Sequence, residues 1–550
     1  MSNMMKTIFG MLAVAMAMAS QTATAATQAT PGVPAQKGEP CTFQDGVRYS
    51  ELVINSRMND FKANTKDAGF GVFNSEGKMI ASPTTTKTTL DYVPGLVAKA
   101  ILEAVDYYKG NTEVDVRPWW YAMQYYGCHY DIADAGKQGM SFDDLNAVKM
   151  YFKLQELASA GVFTDGWQYT NNDTKLTATQ RFKDALKGIK TANSTYVIKS
   201  STLAGAAGGW WHKAGYTNQM WCDGQYMGPA LLAQMINNYQ GYSAITVNDW
   251  DLVTRQFDIA WQYLWNSDTK LLYHAFTAEP GGWAAKDWAG ISATPGAEVY
   301  HSAEYWGRAV GWYFLALVDI LELMQQAALT TTDNYQALYT QLQLLADGLA
   351  ARQDNASGCW YQLLAHDGSF KATTYNASYR YTDQPVNNYL ESSCTAIFTA
   401  GYLKAVRLGL LDSRYLDTAK KAYKGMVNEF MVSDGQGGVH LINCCKSAGL
   451  GGASYRDGSA AYYLMGRDTE PTVADPASPS FYTEGKVFGA FVLAATEYER
   501  LQDSTTGIGK KPTADSHQPK TAPLYTLAGI PADSSTRGLV IAQNKKYTID

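Results

Sequence analysis

The residues of this sequence that are best suited to chemistry lie in one stretch, GGWWHKAGYTNQMWCDGQYMGPALLAQ, which covers residues 208–234. It places Asp223 just after Trp221, and it carries His212 in its aromatic first part. A carboxyl group in the first turn of a helix can simply complement the helix dipole. A carboxyl group enclosed by indole rings is instead poorly solvated, which raises its pKa and makes it a usable proton donor. The spacing alone leaves both interpretations open.

The apolar residues of this stretch recur at helical spacing, which predicts a helix over 219–238. Its buried stripe contains Met220, Tyr226 or Met227, Leu231 and Met235. Such a helix would hold the candidate carboxyl in its first turn. The aromatic strand or turn before the helix would bring up the candidate histidine.

From residue 91 to residue 502 the pattern of apolar residues is helical almost throughout. The predicted helices cover 94–108, 117–127, 143–158, 178–190, 219–238, 247–265, 303–325, 333–352, 389–409, 414–430 and 486–502. A short aromatic element recurs between alternate helices, at 209–212, 272–274, 359–362 and 438–440. This repeated unit predicts an all-α toroid of helical hairpins whose loops form a cleft at one mouth. A linear helical solenoid is the competing architecture.

The composition excludes some classes of protein. The net charge is −6 and no run of Lys or Arg occurs, so a nucleic acid is not a predicted partner. The chain has 37 Tyr and 14 Trp, rings that sugar-binding clefts use as stacking platforms and that cores also consume. No metal-ligand spacing occurs, so neither a metal nor another cofactor is predicted. The 7 cysteines are too sparse for a disulfide framework.

The two ends of the chain are predicted to lie outside the helical domain. Residues 1–25 combine Lys6, an apolar run over 8–19 and a small-residue cleavage site at 23–25, which are the features of a signal peptide. The apolar run is too short to span a bilayer, so we expect a periplasmic or secreted protein that begins near Ala26. The remaining predicted segments are an N-terminal extension at 26–90 with a helix near 48–61, the helical domain at 91–502, a linker at 503–523, and a tail at 524–550 with three short strands.

Several stretches together resemble a known family. They are FDDLNAVK (142–149), the first part of the stretch above (208–228), LLYHAF (271–276), EYWGRAVGWYFLALVDIL (304–321), GCWYQLL (358–364), NYLESSCTAIF (388–398) and AGLGG with YRDGS (448–459). In this order they are similar to the unsaturated rhamnogalacturonyl hydrolases of glycoside hydrolase family 105, relatives of the unsaturated glucuronyl hydrolases of family 88. The resemblance runs from about Val93 to Gln502 and implies an (α/α)6 barrel of six helical hairpins.

The resemblance also implies an activity. Such hydrolases remove the 4,5-unsaturated uronic acid that a polysaccharide lyase leaves at the non-reducing end of an oligosaccharide. Two carboxylates normally flank the anomeric carbon in glycoside hydrolysis. Here the substrate is an enol ether, so one acid protonates the C4=C5 double bond, water adds at C5, and the hemiketal opens to expel the rest of the sugar. The expected substrate is unsaturated galacturonyl-rhamnose from pectin rhamnogalacturonan.

The resemblance assigns roles to two acids and two histidines. Asp223 matches the family's catalytic acid, which also orients the water. Asp143 matches a second acidic residue of the same pocket, although the adjacent Asp144 fits if the alignment slips by one position. His212 and His274 match pocket residues that hydrogen-bond the uronate.

A set of aromatic and basic residues on a predicted inner helix completes the implied site, namely Trp306, Arg308 and Trp312. Arg308 can pair the substrate carboxylate in bidentate fashion, and the two indoles can stack on the flattened sugar ring. Glu391 is predicted to be an acid at a helix start rather than a catalyst. The long stretch between His274 and Trp306 is predicted to reshape the mouth and the choice of leaving group.

Three other functions compete with this prediction. The same chemistry could act on an unsaturated glucuronyl oligosaccharide. A non-catalytic carbohydrate-binding barrel would lack its acid, and the presence of both Asp223 and Asp143 argues against it. An ordinary hydrolase or lyase of intact polysaccharide would need two working carboxylates across an open groove. In each case the predicted partner is a saccharide, and the sequence specifies no oligomeric state.

Overall fold

The computed structural model describes residues 31–63, 70–82, 89–129, 131–132, 140–161, 174–199, 203, 205–245, 248–279, 300–372, 385–451, 455–506, 524–526, 531–532, 538–542 and 545–549. The predicted signal peptide at 1–25 lies outside the described residues. The same holds for 280–299, within the long stretch before Trp306, and for 507–523 of the predicted linker. The structure therefore tests the helical domain and the strands of the tail.

The helices follow one another along the chain with short connections between most of them. They are α1 Tyr49–Ala63, α2 Tyr92–Tyr108, α3 Arg117–His129, α4 Phe142–Asn146, α5 Lys149–Ser159, α6 Thr174–Ser194, α7 Cys222–Met227, α8 Pro229–Asn238, α9 Asp249–Leu264, α10 Gly307–Gln326, α11 Asp333–Ala350, α12 Ser392–Arg407, α13 Tyr415–Phe430, α14 Ala460–Met465 and α15 Gly485–Thr506.

The strands are short and belong to the loops between helices, apart from the last four. They are β1 Val72–Phe73, β2 Met79–Ala81, β3 Thr89–Leu90, β4 Asp131–Ile132, β5 Gln219–Trp221, β6 Trp265–Asn266, β7 Leu271–Leu272, β8 Ala275–Thr277, β9 Lys371–Ala372, β10 Val386–Asn387, β11 Met431–Ser433, β12 Val439–Leu441, β13 Leu524–Thr526, β14 Pro531–Ala532, β15 Gly538–Ala542 and β16 Lys545–Ile549. Pairs β1–β2, β5–β8, β6–β7, β9–β10 and β11–β12 are antiparallel, and β3–β4 is parallel.

The helices form an (α/α)6 barrel in which an outer helix precedes each inner helix along the chain. The inner layer consists of α2, α5, α8, α10, α12 and α15, and the outer layer of α1, α3, α6, α9, α11 and α13. Helices α10 and α12 are buried over most of their length. The last and first inner helices meet where a Cβ atom on Gly489 would lie 2.6 Å from Leu96 Cγ. The predicted toroid is confirmed, and this contact closes it, unlike a solenoid.

Helix α1 lies in the segment predicted as an N-terminal extension, yet its side chains contact the barrel. The Ser50 and Tyr108 hydroxyls lie 2.9 Å apart, which ties α1 to α2. The guanidinium of Arg57 donates a 2.7 Å hydrogen bond to the carbonyl of Thr483, just before α15. Because α1 packs between the first and last inner helices, it is the first outer helix. The predicted start of the barrel at residue 91 is therefore wrong, since the barrel includes α1.

Three predicted helices are interrupted or begin later in the structure. The prediction over 219–238 is wrong at its start, because 219–221 is a strand that pairs with β8. The rest is broken into α7 and α8 at Gly228, where Phe142 fills the space that a Cβ atom would need. The prediction over 143–158 is likewise split into α4 and α5, and the one over 303–325 begins only after Trp306.

Residues 499–550 form a second compact unit, separate from 1–498. Its strands make a four-stranded sheet in the order β14-β13-β15-β16. All neighbouring strands are antiparallel. The predicted β character of the tail is confirmed, and the sheet contains one strand more than the three predicted.

All seven cysteines are buried, and Cys41, Cys222, Cys359, Cys394, Cys444 and Cys445 are free thiols within the described residues. The adjacent Cys444 and Cys445 keep separate thiols, as expected for a sequence without a disulfide framework. Across that same part of the chain, none of the helices combines the length and the apolar character needed to cross a membrane.

Candidate active site

Asp223 lies where strand β5 turns into helix α7. Trp221 is the last residue of the strand and has the extended backbone of an N-cap position. Antiparallel pairing of β5 with β8 sets Trp221 opposite Ala275, and the Cys222 amide donates a 2.9 Å hydrogen bond to the carbonyl of His274. The strand pair therefore fixes the candidate acid and the second histidine side by side, although 51 residues separate them in sequence.

Aromatic rings surround this strand end. The indole of Trp221 stacks on Tyr216 with ring centroids 5.0 Å apart. Its centroid lies 5.8 Å from the ring of His212 and 5.7 Å from the ring of His274. Asp223 is partly buried beside these rings, and its Oδ2 is buried with no hydrogen-bond partner among the described residues. The carboxyl group thus stands in a poorly solvated pocket and keeps one oxygen for a ligand.

The surroundings raise the pKa of Asp223 to about 6. Burial is the largest cause, because it disfavours the charged form, and the negative charge of Asp143 adds to it. Opposing effects come from His212 and Arg308, which favour the carboxylate. A pure helix-dipole role would lower this pKa rather than raise it. The structure therefore favours the proton-donor interpretation of the two that the sequence left open.

Asp143 lies in the same site, but its surroundings lower its pKa instead of raising it. Its Oδ1 is 3.1 Å from His212 Nε2, and its Oδ2 is 3.6 Å from Lys213 Nζ. Burial raises its pKa, but these two partners outweigh burial and lower the pKa to about 2. The Phe142 amide donates to the His212 carbonyl at 3.2 Å, which holds α4 against this loop. Contact with His212 favours Asp143 over Asp144 as the second acid of the pocket, and its role there stays a prediction.

His274 is fully buried between two indoles and a phenol. Its ring makes edge-to-face contacts with Trp221 and with Trp306, whose centroid lies 5.8 Å away. Its Nε2 is hydrogen-bonded to the hydroxyl of Tyr463. Burial lowers the pKa of His274 to about 3, so the imidazole is neutral at the pH of any ordinary assay. Tyr463 also stacks on Trp306, with ring centroids 6.1 Å apart.

Arg308 is buried in the first turn of α10, beneath the ring of Trp306. Its Nη1 donates to Cys445 O at 2.6 Å and lies 3.9 Å from Glu391 Oε1. Glu391 accepts a hydrogen bond from the Cys394 amide, so its predicted role at a helix start is confirmed. Every hydrogen bond from this guanidinium within the described part of the chain uses Nη1. Nε and Nη2 make no such bond, as the predicted carboxylate clamp requires.

Trp312 is the one predicted site residue that the structure does not bring into this cluster. It lies more than a helical turn beyond Arg308 on α10, and it is 1% exposed. Its ring stacks on Tyr226, with centroids 4.8 Å apart. The ammonium group of Lys149 lies over the Tyr226 ring, 3.3 Å from its centroid. Trp312 thus packs in the barrel interior, and its contact with a sugar stays a prediction.

Four buried polar atoms of the site lack a hydrogen-bond partner among the described residues. They are Asp223 Oδ2, His212 Nδ1, His274 Nδ1 and Trp306 Nε1. Buried polar groups are normally hydrogen-bonded, because an unsatisfied group costs about 1–3 kcal/mol. Grouping four of them around one aromatic pocket is what a binding site for a polar, ring-shaped ligand requires. Such a ligand would satisfy them together.

Three contributors to this site were not predicted from the sequence. Lys213 lowers the pKa of Asp143, and the ring of Tyr216 stacks on Trp221. Both lie inside the 208–234 stretch, so their nearness to Asp223 was the available signal. Tyr463 follows the last recognisable motif and had no signal of its own. Within the described residues, no three His, Cys, Asp or Glu side chains are grouped as a metal ion would require.

The sequence of this chain matches known proteins. The sequence model of Glycosyl Hydrolase Family 88 matches residues 71–502, most of the barrel. The chain belongs to this family. As a family 88 member it is a glycoside hydrolase, and the predicted relationship to families 88 and 105 is confirmed. Among curated proteins it is 34% identical over 182 residues to "Protein Atu3128" of Agrobacterium fabrum, covering 32% of this chain and 67% of that protein.

Solved structures share the barrel of this family 88 member. A glycoside hydrolase from family 105 of C. acetobutylicum is 25% identical, with a TM-score of 0.57, covering 82% of this chain and 100% of that one. A possible member of the GH105 family from Salmonella enterica is 19% identical, with a TM-score of 0.52, covering 84% of this chain and 96% of that one. The second similarity concerns the fold alone.

Replacing Asp223 with Asn is expected to stabilise the protein above pH 6. The carboxyl has a pKa of about 6 in the fold against an ordinary value of 3.8, so its ionisation opposes folding by up to about 3 kcal/mol. The full cost is present above the folded pKa and disappears below the unfolded one. Urea unfolding at pH 8 should therefore show a gain for Asp223→Asn that vanishes near pH 3.5. An equal gain at both pH values would contradict the shifted pKa.

Proposed function

We propose that this family 88 member removes the 4,5-unsaturated uronic acid from the non-reducing end of oligosaccharides made by polysaccharide lyases. The proposed substrate is unsaturated galacturonyl-rhamnose from pectin rhamnogalacturonan. A location in the periplasm or outside the cell is also proposed, on the features of residues 1–25 alone. The matching families and the motif order support the substrate class, and the pocket supports the chemistry.

The observation that carries the proposal is the split between two neighbouring acids. Asp223 has a raised pKa of about 6, and Asp143 has a lowered pKa of about 2. Near neutral pH one carboxyl can therefore hold a proton while the other stays charged. Hydration of an enol ether needs one proton donor, which is what this pair supplies. A retaining or inverting glycosidase would instead need two carboxyl groups placed on either side of the anomeric carbon.

In the proposed reaction the protonated Asp223 gives its proton to C4 of the unsaturated ring. The π electrons form the new C4–H bond, and positive charge develops at C5 and the ring oxygen. Water then bonds to C5 and loses a proton, which yields a hemiketal. Opening of the hemiketal gives a ketone at C5 and releases the remaining sugar from C1. No bond to the protein forms, so the protein contributes proton transfer, positioning and electrostatics.

The charge balance of the pocket suits an anionic ring. The guanidinium of Arg308 is partly balanced by Glu391, and its Nε and Nη2 make no hydrogen bond to the described residues. A uronate carboxylate could take up these two donors in bidentate fashion. Trp306, which lies over the guanidinium at 4.8 Å, and Trp221 offer indole rings beside a flattened sugar ring. These contacts favour a uronate over a neutral sugar.

The test is to incubate the protein with unsaturated galacturonyl-rhamnose and follow the ultraviolet absorbance of the double bond. We expect the absorbance to disappear, and kcat/KM to fall as pH rises through about 6, because only protonated Asp223 can act. Above that pH the rate should fall about tenfold per unit. The unsaturated glucuronyl disaccharide is the parallel substrate, and faster turnover of it would reassign the substrate. No loss of absorbance with either substrate would reject the proposed function.

A further inference from the structure

The imidazole of His212 is held by Asp143 through one nitrogen only. Nε2 lies 3.1 Å from Asp143 Oδ1, and Lys213 lies on the other oxygen of the same carboxylate. An ionised carboxylate only accepts hydrogen bonds, so a neutral imidazole must carry its proton on Nε2 to make this contact. The second nitrogen, Nδ1, then holds a lone pair and can act only as an acceptor.

This nitrogen lies beside the helix turn that carries the candidate acid. Nδ1 is buried and has no hydrogen-bond partner in the part of the chain that the structure describes. A Cβ atom on Gly224 would lie 3.0 Å from it, so the nitrogen faces the first turn of α7, next to Asp223. A positive charge on His212 would also favour the carboxylate form of Asp223. A proton donor and an imidazole nitrogen without a partner among the described residues thus lie in one buried pocket.

We infer that His212 Nδ1 is the base that takes a proton from the attacking water, whereas Asp223 only gives its proton to the sugar. This inference rests on the proposed function and divides its two proton transfers between two residues. As the water oxygen bonds to C5, one O–H bond breaks and the proton moves to Nδ1. The imidazolium returns a proton to the Asp223 carboxylate before the next turnover. No oxidant, reductant or further reactant is needed.

Charge balance favours two residues, one that gives the proton to the sugar and one that takes a proton from water, over a single residue for both transfers. Once Asp223 has lost its proton, two carboxylates stand in the pocket, and the negative charge of Asp143 already opposes ionisation of Asp223. A proton on His212 places a cation 3.1 Å from Asp143 Oδ1 and close to the new carboxylate. In a poorly solvated site such an arrangement lowers the energy of the charged intermediate. His274 is a much weaker base, because burial lowers its pKa to about 3 and its Nε2 contacts the Tyr463 hydroxyl rather than a carboxylate that would stabilise an imidazolium.

The sharpest variant is His212→Gln. A glutamine amide can still donate a hydrogen bond to Asp143 and fills most of the space, but it cannot accept a proton. We expect kcat to fall about 100-fold with KM changed less than about threefold, the range for loss of a general base. The kcat of His212→Ala should fall by a similar factor, and added imidazole should raise the kcat of this variant at least about tenfold. The matched control is His274→Ala, because added imidazole should not raise the kcat of that variant.

The outcomes separate this inference from the proposed function. Wild-type protein that leaves the double bond intact removes the proposed function and the inference together. Wild-type turnover combined with near-normal kcat in His212→Gln overturns only the role of His212, because a structural role survives that substitution. Failure of imidazole to rescue a folded His212→Ala protein, with folding checked by circular dichroism, overturns it as well. Should the alanine variant not fold, the kcat of His212→Gln decides alone.

Discussion

The Asp223→Asn protein is expected to leave the double bond of its substrate almost untouched, with kcat lowered by about 10⁴-fold. Asparagine has nearly the shape of the protonated carboxyl but has no proton to give at neutral pH. Binding should survive, because the rings of Trp221 and His274 and the guanidinium of Arg308 are unchanged. The measurement is the rate of absorbance loss at saturating substrate, together with the Kd from titration calorimetry.

Asp144→Asn is the matched control for this substitution. It makes the same change of carboxyl to amide, on α4 beside Asp143, but the contacts with His212 and Lys213 belong to Asp143. Its kcat should stay within about twofold of wild type. If Asp223→Asn keeps more than about a tenth of the rate, the proton comes from another group. If Asp144→Asn loses activity as strongly, the assignment of the second acid to Asp143 is wrong.

The same carboxyl links activity to stability. A pKa of about 6 exists only because the fold holds Asp223 beside aromatic rings and a second carboxylate. The fold therefore carries a cost at neutral pH that an asparagine would relieve. Functional sites commonly oppose stability in this way, since a solvated acid would be useless as a donor near neutral pH. A stabilised but inactive Asp223→Asn protein would link the two effects to one residue.

The barrel could be predicted from the sequence because its helices are long and periodic. Helices α10 and α12 bury most of their residues, and both match predicted helices closely. The strand at 219–221 was misread, because Gln219, Met220 and Trp221 are all buried and give no alternation. A run of three buried residues ahead of a helix has no period of its own. Only the pairing with β8 shows it to be a strand.

The part of the site that could not be predicted depends on contacts between residues far apart in the sequence. The hydrogen bond between Tyr463 and His274 joins residues 189 positions apart, and no local pattern around Tyr463 indicates it. Glu391 was predicted as a helix-start acid from its local position, and it is one. Its second role, as the buried partner of Arg308, depends on how α10 and α12 pack. Local chemistry was therefore predictable, and partners across the barrel were not.

Arg308→Ala is expected to have the second largest effect, on stability as well as on substrate affinity. Arg308 is 2% exposed and Glu391 is 0% exposed, so the substitution leaves a buried carboxylate without its positive partner. Breaking such a pair costs about 3–5 kcal/mol. Urea unfolding should show this loss, and protein that remains folded should bind the unsaturated uronide at least about 100-fold more weakly, through loss of a bidentate charged contact.

Arg308→Lys separates the two roles of this side chain. The ammonium group keeps a positive charge near Glu391 and can still donate to Cys445 O, so most of the stability should return. It cannot present two parallel N–H donors to a carboxylate, so KM should stay at least about tenfold above wild type. A lysine variant with normal KM would show that Arg308 serves the fold alone. The uronate would then be held by N–H groups of His274 Nδ1 and Trp306 Nε1, which have no other partner among the described residues.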